Sequence, residues 1–269
     1  MVSGKVSVVI PAYNESQHIV RNVRETVATL LRLDYDFEVI VVDDGSLDET
    51  HLEASKLFSE SPDYVRVIRY ERNAGKGSAV VCGASYAVGQ YVALLDADMD
   101  LHPAQLPVLF GVMSATDADV VIGSKRHPLS RINYPIRRKF LSTVYFGLIR
   151  LLFGLPLRDT QTGIKIFRRA VIESVFPRLL SKRYAFDVEV LANAHRLGYR
   201  IREAPVTLTF RRSFGRITLR DAYYVLCDTL AIFYRMHIVH YYDRAPHGEL
   251  RDARRASGAR EIVPSLEPS

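Results

Sequence analysis

Short apolar runs alternate with helix-patterned stretches through the first 124 residues, and this alternation restricts the fold more than any other feature of the chain. Residues 6–10, 37–42, 65–70, 91–95 and 118–122 are β-branched or wholly apolar, which predicts strands buried on both faces. Between the first two, Ile19, Val23, Val27 and Leu30 recur at helical spacing, and Asn14 with Gln17 reads as a capping-box start. Residues 52–58, 78–88 and 104–113 carry further helical patterns. Strand–helix alternation of this length predicts an α/β fold, a mostly parallel central sheet flanked by helices. In such sheets ligands bind at the carboxyl ends of the strands.

Those ends are polar. The first run leads into Pro11-Ala-Tyr-Asn-Glu15, the second into Asp43-Asp44-Gly-Ser46, and the fourth into Asp96-Ala97-Asp98-Met-Asp100. The third leads into Arg72-Asn-Ala-Gly-Lys76-Gly77 and the fifth into Gly123-Ser-Lys-Arg126. One polar strand end is ordinary turn chemistry; five at one edge point to a site. Asp96 and Asp98 can share a divalent cation, and an oxygen-rich pair with open positions suits Mg²⁺ or Mn²⁺, which also bind phosphates. Asp100 and His102 could add to it. The two aspartates at 43 and 44 can accept hydrogen bonds from a base or ribose, and Tyr13 can flank a base. Asn14 reads as a helix cap. The glycine-lysine segment lacks the spacing of a P-loop, which argues against Walker-type chemistry.

The remainder is less regular. Residues 162–168 and 199–210 read as strands, 185–197 as a helix and 219–242 as one long helical stretch. The net charge of +6 conceals an asymmetry: residues 1–124 balance at −9 and residues 125–269 at +15. A basic half suits phosphate groups or anionic lipid. Residues 125–139 hold six basic side chains and no acidic one, and the apolar stretch 140–157 follows, with Val144, Leu148, Leu151, Leu152 and Leu155 at helical spacing. A basic flank before an apolar helix suits an interfacial helix. The second apolar stretch, 222–234, lies among tyrosines at 223, 224, 234, 241 and 242, as membrane interfaces favour. The expectation is peripheral attachment to the cytoplasmic face of a membrane, without a spanning helix or a leader. Cys82 and Cys227 are expected as reduced thiols within the fold, and residues 244–269 as a disordered tail.

The motifs in this order resemble those of the family 2 glycosyltransferases of the GT-A (Rossmann-like) fold: Val-Val-Ile-Pro-Ala-Tyr-Asn-Glu, Val-Val-Asp-Asp-Gly-Ser-Leu-Asp-Glu-Thr, Asn-Ala-Gly-Lys-Gly and Leu-Asp-Ala-Asp. Within that family the chain is most similar to the polyprenyl-phosphate (dolichyl-phosphate) hexose synthases, through Asp98-Met-Asp-Leu-His-Pro103, Asp159-Thr-Gln-Thr-Gly-Ile-Lys-Ile-Phe167 and Phe186-Asp-Val-Glu-Val-Leu191. The resemblance implies a glycosyltransferase domain over 1–215, with a nucleotide-sugar and metal half (1–124) and an acceptor half (125–215) that contains an amphipathic helix at 136–157. A membrane-surface helix at 216–243 follows.

It also implies roles. Pro11, Tyr13, Glu15, Asp43, Asp44, Lys76, Asp96, Ala97, Arg212 and Arg216 form the implied nucleotide-sugar set. Asp96, Asp98 and Asp100 form the metal set. Arg126, Arg138 and Ser142 would receive the acceptor phosphate, and Asp98, Arg126 and Asp187 form the implied catalytic set. Where the family usually shows Arg-x-x-Gly-x-Ser-Lys, this chain reads Arg212-Ser-Phe-Gly-Arg-Ile-Thr218, without the Ser-Lys.

The implied reaction moves one hexose, with inversion, from a nucleotide-sugar to polyprenyl phosphate. UDP-glucose is the first guess, GDP-mannose the second, and UDP-linked amino sugars a further option. A hydroxyl acceptor needs a general base, whereas a phosphate is already ionised. The chain has no Glu-Asp dipeptide and no Trp, which favours the phosphate acceptor and argues against a polysaccharide synthase. Two alternatives stand beside it: transfer to a sugar or protein hydroxyl with Asp187 as base, and a non-catalytic nucleotide-sugar or polyanion binding module. No nucleic-acid-reading motif is present, and self-association is left open.

Overall fold

The computed structural model of the chain describes residues 4–131, 136–183, 185–208, 219–244, 250, 252 and 258–262, with backbone alone at 136–142 and 219–222. The first half is built as β1 (Val6–Ala12), α1 (Ile19–Arg32), β2 (Phe37–Asp43), α2 (Thr50–Glu60), β3 (Val65–Arg69), α3 (Lys76–Tyr86), β4 (Tyr91–Leu94), α4 (Leu106–Thr116) and β5 (Val120–Ser124). It continues with α5 (Ile136–Phe153), β6 (Lys165–Arg168), α6 (Arg169–Val175), α7 (Phe186–Arg196), β7 (Ile201–Pro205), α8 (Leu219–Phe233), α9 (Tyr241–Arg244) and β8 (Arg260–Glu261).

The described strands form one sheet in the order β7-β5-β6-β4-β1-β2-β3-β8. The pairs β1–β2, β1–β4, β2–β3 and β5–β7 are parallel, while β6 runs antiparallel between β4 and β5. Every residue of β2 is buried, as a strand covered on both faces requires. Alternate side chains feed two cores. Val9, Ile40, Val42 and Ile68 join one, with α3, α6 and α7; Val8, Ile10, Val39, Val41 and Val67 join the other, with α1, α2 and α4. The chain leaves β1 toward β2 on one side and meets β4 on the other. The crevice of this switch point therefore opens beyond the carboxyl ends of β1 and β4.

Several elements depart from the sequence expectations. Asn14 does not cap α1: it has φ of 56°, its amide donates to Ser46 Oγ at 3.0 Å, and its Oδ1 accepts from Leu47 N at 2.9 Å. A short amide side chain tolerates the left-handed region, and here it ties the end of β1 to the loop after β2. The strand expected over 162–168 begins only at Lys165, because 159–163 is a turn organised by Asp159. The single helix expected over 219–242 ends at Phe233 and passes through a π-helical turn, Tyr234–Ile238, before α9.

The two apolar helices of the basic half pack on one another through Phe153 and Phe233, with centroids 6.3 Å apart, and through Tyr145 Oη and Thr229 Oγ1 at 3.0 Å. Val144 and Leu151 of α5 stay exposed, as do Tyr223, Leu226, Leu230, Tyr234 and Ile238. Tyr242, expected among the interfacial aromatics, is instead fully buried. Among the described residues no helix is long and apolar enough to cross a membrane. Cys82 is buried in α3 and Cys227 half-buried in α8, both as free thiols.

The disordered tail expected over 244–269 fails at 258–262. There β8 pairs antiparallel with β3, and Ile262 N donates to Val67 O at 2.9 Å. The glutamate of β8 closes on Arg66 with a bidentate contact, Nε to Oε1 at 2.8 Å and Nη2 to Oε2 at 3.1 Å. Arg66 also lies 5.3 Å over the Tyr86 ring. A two-residue strand has no period to read in sequence; paired charge and a free sheet edge hold it. Glu261→Ala is expected to lower the free energy of unfolding by about 1 kcal/mol in urea titrations. It should also speed hydrogen exchange at the Ile262 amide, and unchanged exchange there would mean that the edge is not closed in solution.

Candidate active site

The crevice beyond β1 and β4 is lined by Pro11, Lys76, Asp96, Gly163, Lys165 and Asp187. Asp96 lies two residues beyond the end of β4. Its Oδ1 lies 2.5 Å from Lys76 Nζ, at the first residue of α3. Partial burial works to raise the Asp96 carboxyl, but Lys76, supported by Lys165 and Lys125, outweighs it and holds the group below the usual carboxylate range. Lys76 is held above its ordinary value, because the nearby carboxylates of Asp96 and Asp187 exceed its own desolvation.

Asp98 behaves in the opposite way. Burial, then the negative charges of Asp96 and Asp100, push its carboxyl up to about 6. Asp98 Oδ1 accepts the amide of Asp100 at 3.1 Å across a turn in which Met99 has φ of 58°. Among the described residues, no three acidic, histidine or cysteine side chains converge into a ready cation-binding cluster. Asp96 and Asp98 nevertheless form a crowded carboxylate pair whose mutual repulsion a divalent cation would relieve, so the residues present fit such an ion.

Polar side chains on α1 brace this turn. Asn22 is buried, and its Nδ2 donates to Ala97 O at 2.7 Å; Thr26 Oγ1 lies 3.6 Å from Met99 Sδ. His102 closes the far end, with Nε2 2.8 Å from Glu25 Oε1 and Nδ1 accepting from Ala104 N at 3.0 Å. From the other side Gly163 approaches so closely that an added Cβ would stand 2.0 Å from Asp96 Oδ2. Lys165 is 2% exposed; its Nζ lies 2.8 Å from Asp187 Oδ1 and also donates to Thr162 O. Sequence reasoning passed over Asn22 and gave no role to Gly163 and Lys165, which appear there only within the motif at 159–167. Asn22 and Lys165 carried a readable signal, since each is a polar residue at a position that the local apolar pattern assigns to the core.

The remaining expected residues fall into three groups. Tyr13 is exposed, and the Glu15 amide donates to Thr50 Oγ1 at 2.7 Å. Asp43 and Asp44 are buried and hold loops. Asp43 accepts from Ser46 N at 3.0 Å and lies 3.4 Å from Arg69 Nε. Asp44 accepts from Asn73 Nδ2 and from the amides of Ala74 and Gly75. Burial raises the Asp44 carboxyl against the pull of those two amides. Arg126 donates to Thr143 Oγ1 at 3.0 Å and stacks 5.3 Å over the Phe146 ring of α5. The side chains of Arg138 and Ser142, and the whole of Arg212 and Arg216, lie outside the described residues.

The raised Asp98 carboxyl has a cost that can be measured. Its folded-state value of about 6 exceeds the ordinary 3.8, so the unfolded chain ionises it first as pH rises. The penalty is absent below about pH 4, grows through the window between the two values and is complete above about pH 6. In protein stripped of divalent cations, Asp98→Asn is therefore expected to raise the unfolding free energy by about 1–2 kcal/mol at neutral pH. At acid pH it should leave it unchanged. A neutral-pH loss of stability would contradict this account of the turn.

The chain is similar to known proteins in sequence and fold. The model of glycosyl transferase family 2 matches residues 7–176. Glycosyltransferase AglD of Haloferax volcanii is 36% identical over 205 residues, covering 75% of this chain and 32% of that protein. The dolichyl-phosphate beta-glucosyltransferase of Saccharomyces cerevisiae is 31% identical over 220 residues, covering 75% of this chain and 66% of the relative. The chain thus spans between a third and two thirds of the length of these relatives. Among solved structures, glucosyl-3-phosphoglycerate synthase from Mycobacterium tuberculosis, in complex with Mn²⁺, UDP-glucose and phosphoglyceric acid, superposes with a TM-score of 0.63 at 22% identity, covering 86% of this chain and 79% of that one. That likeness shows a shared fold. With the crevice beyond β1 and β4 carrying the motif residues and the family model spanning most of the sheet, the chain belongs to glycosyl transferase family 2.

Proposed function

We propose that the protein is an inverting glycosyltransferase that moves one hexose from a nucleotide-sugar to polyprenyl phosphate and releases a nucleoside diphosphate. One observation carries the reading: Asp96 and Asp187 converge with Lys76 and Lys165 beyond β4, in a chain whose basic half also exposes an apolar helical face. Relatives named as dolichyl-phosphate beta-glucosyltransferases support glucose, with UDP-glucose ahead of GDP-mannose.

Asp96 and Asp98, with Asp100 beside them, would hold Mg²⁺ or Mn²⁺. Such an ion supplies charge stabilisation to the departing diphosphate. Lys76, fixed on Asp96, adds a second positive group at the same place, oriented before any ligand arrives. Pro11 lines the crevice, and the exposed Tyr13 that follows it would flank the nucleoside. Arg126, oriented by Thr143 and Phe146, would meet the acceptor phosphate; Phe146, Arg138 and Ser142 belong to one helix. An ionised phosphate oxygen attacks the anomeric carbon from the face opposite the leaving group and needs no base. Asp187 is already engaged by Lys165, which suits an orienting part better than a proton acceptor.

The exposed residues Val144 and Leu151 on α5 and Tyr223, Leu230 and Tyr234 beyond them form the surface that would rest on the membrane, on its cytoplasmic face. A second reading, transfer to a hydroxyl, is favoured only by Asp187 lining the same crevice.

The test is incubation with Mg²⁺ or Mn²⁺, a short polyprenyl phosphate and a panel of labelled nucleotide-sugars, followed by partition into organic solvent. Label from one sugar, reduced at least about a hundredfold by Asp98→Ala, is the expected outcome. Donor hydrolysis without lipid product, lost in Asp187→Asn, would replace it with the hydroxyl acceptor. Separately, Leu151→Glu combined with Tyr234→Glu is expected to release the protein from anionic vesicles in co-sedimentation while leaving the unfolding midpoint within about 2 °C of wild type.

A further inference from the structure

Glu189 is the most completely enclosed acid in the described structure that the reaction does not use. It is 0% exposed, in the first turn of α7. Its Oε2 accepts the amides of Leu180 at 3.0 Å and Ser181 at 2.7 Å. Its Oε1 meets Arg235 Nη2 at 3.3 Å and receives the hydroxyl of Tyr242, which is itself 0% exposed. Arg235 Nε also lies 3.1 Å from the Tyr242 hydroxyl, and Arg178 Nη1 donates to Tyr242 O at 2.9 Å. One carboxylate therefore joins α7, the 180–182 segment and the C-terminal helical segment.

That segment is the seat of the glycine loop. Gly77 N donates to Lys182 O at 2.9 Å. A Cβ on Gly75, whose φ is 97°, would stand 2.3 Å from Lys182 O, and one on Gly77 would stand 2.5 Å from Ser181 O. Between these two glycines sits Lys76, whose ammonium meets Asp96. The π-helical turn at Tyr234–Ile238 supplies the partner from the far side. Widening the helix by one residue there brings Arg235 onto the carboxylate while Tyr234 and Ile238 stay exposed.

From this continuous set of contacts we infer that Glu189, clamped by Arg235 and Tyr242, is a positioning residue: it holds the 180–182 segment against Gly75 and Gly77 and so fixes Lys76 on Asp96. The C-terminal helical segment, otherwise a surface element, is part of the device that prepares the crevice. The meaning of that preparation as nucleotide-sugar binding rests on the proposed function; the mechanical link does not. A buried carboxylate that receives two amides, a hydroxyl and a guanidinium is fully satisfied, which makes it a rigid joint rather than a reactive group.

The full-length chain is compared with Tyr242→Phe, which removes one hydroxyl, with Glu189→Gln, and with Leu57→Ala on α2 as a control for general destabilisation. Hydrogen exchange is read over residues 73–78, and uridine diphosphate with Mn²⁺ is titrated as the probe. Exchange over 73–78 is expected to rise at least about fivefold in Tyr242→Phe and Glu189→Gln but not in Leu57→Ala. Nucleotide affinity should fall by a similar factor, and in the transfer assay the nucleotide-sugar KM should rise while kcat changes less than about twofold. Exchange over 73–78 that stays at the control level in both variants overturns the inference. A loosened loop in a protein whose wild type binds no nucleotide would uphold the positioning link and overturn the proposed function instead.

Discussion

A parallel sheet covered on both faces leaves its backbone no partner except the neighbouring strands, and each crossover must return to the same edge to begin the next strand. Everything that acts in this protein follows from that constraint. Because β1, β2, β4 and β5 point their carboxyl ends one way, the residues that follow them are delivered to one rim without any requirement on the intervening helices. β6 supplies the exception. It runs against β4 and β5, so its amino end, with Gly163 and Lys165, reaches the rim that the other strands leave.

The sheet fixes positions to within a residue or two, and ion pairs and amide contacts fix orientation. Asp96 is held by Lys76, Asp187 by Lys165, Ala97 by Asn22, and the glycine loop by Asp44. The last three are polar contacts inside or beside an apolar core, where the low dielectric makes them stiff and makes their loss expensive. Asp98 stands apart from this pairing. Burial and the charges of Asp96 and Asp100 raise its carboxyl, and a nearby cation would oppose that shift.

The five strands of the first half were legible because β-branched runs are their own signature, and the rim was legible because acidic and glycine residues followed each run. The strand starts and ends moved by one or two residues, as at β5, where the turn chemistry at Asp117 shifts the start to Val120. What could not be read lay in tertiary partnership. Asn14 satisfied a capping pattern, yet the loop after β2 claimed its side chain. Tyr242 belonged to an aromatic-rich stretch, yet Glu189 drew it inward. The edge strand at 260–261 is too short for any periodicity, and Lys165 stood out at a core position without its partner, Asp187, being readable. In each case the deciding group is distant in sequence.

The antiparallel strand β6 also imposes an order of assembly. β1 to β4 pair within the first 94 residues, so that part of the sheet can close while later residues are still being added to the growing chain. Gly163 reaches Asp96 only after about 70 more residues have emerged, and Lys165 meets Asp187 only after about 90. A nascent chain therefore holds its acidic rim open, without its buried lysine, for much of its synthesis. Completing the crevice waits on β6 and α7 rather than on the strands that carry its acidic rim.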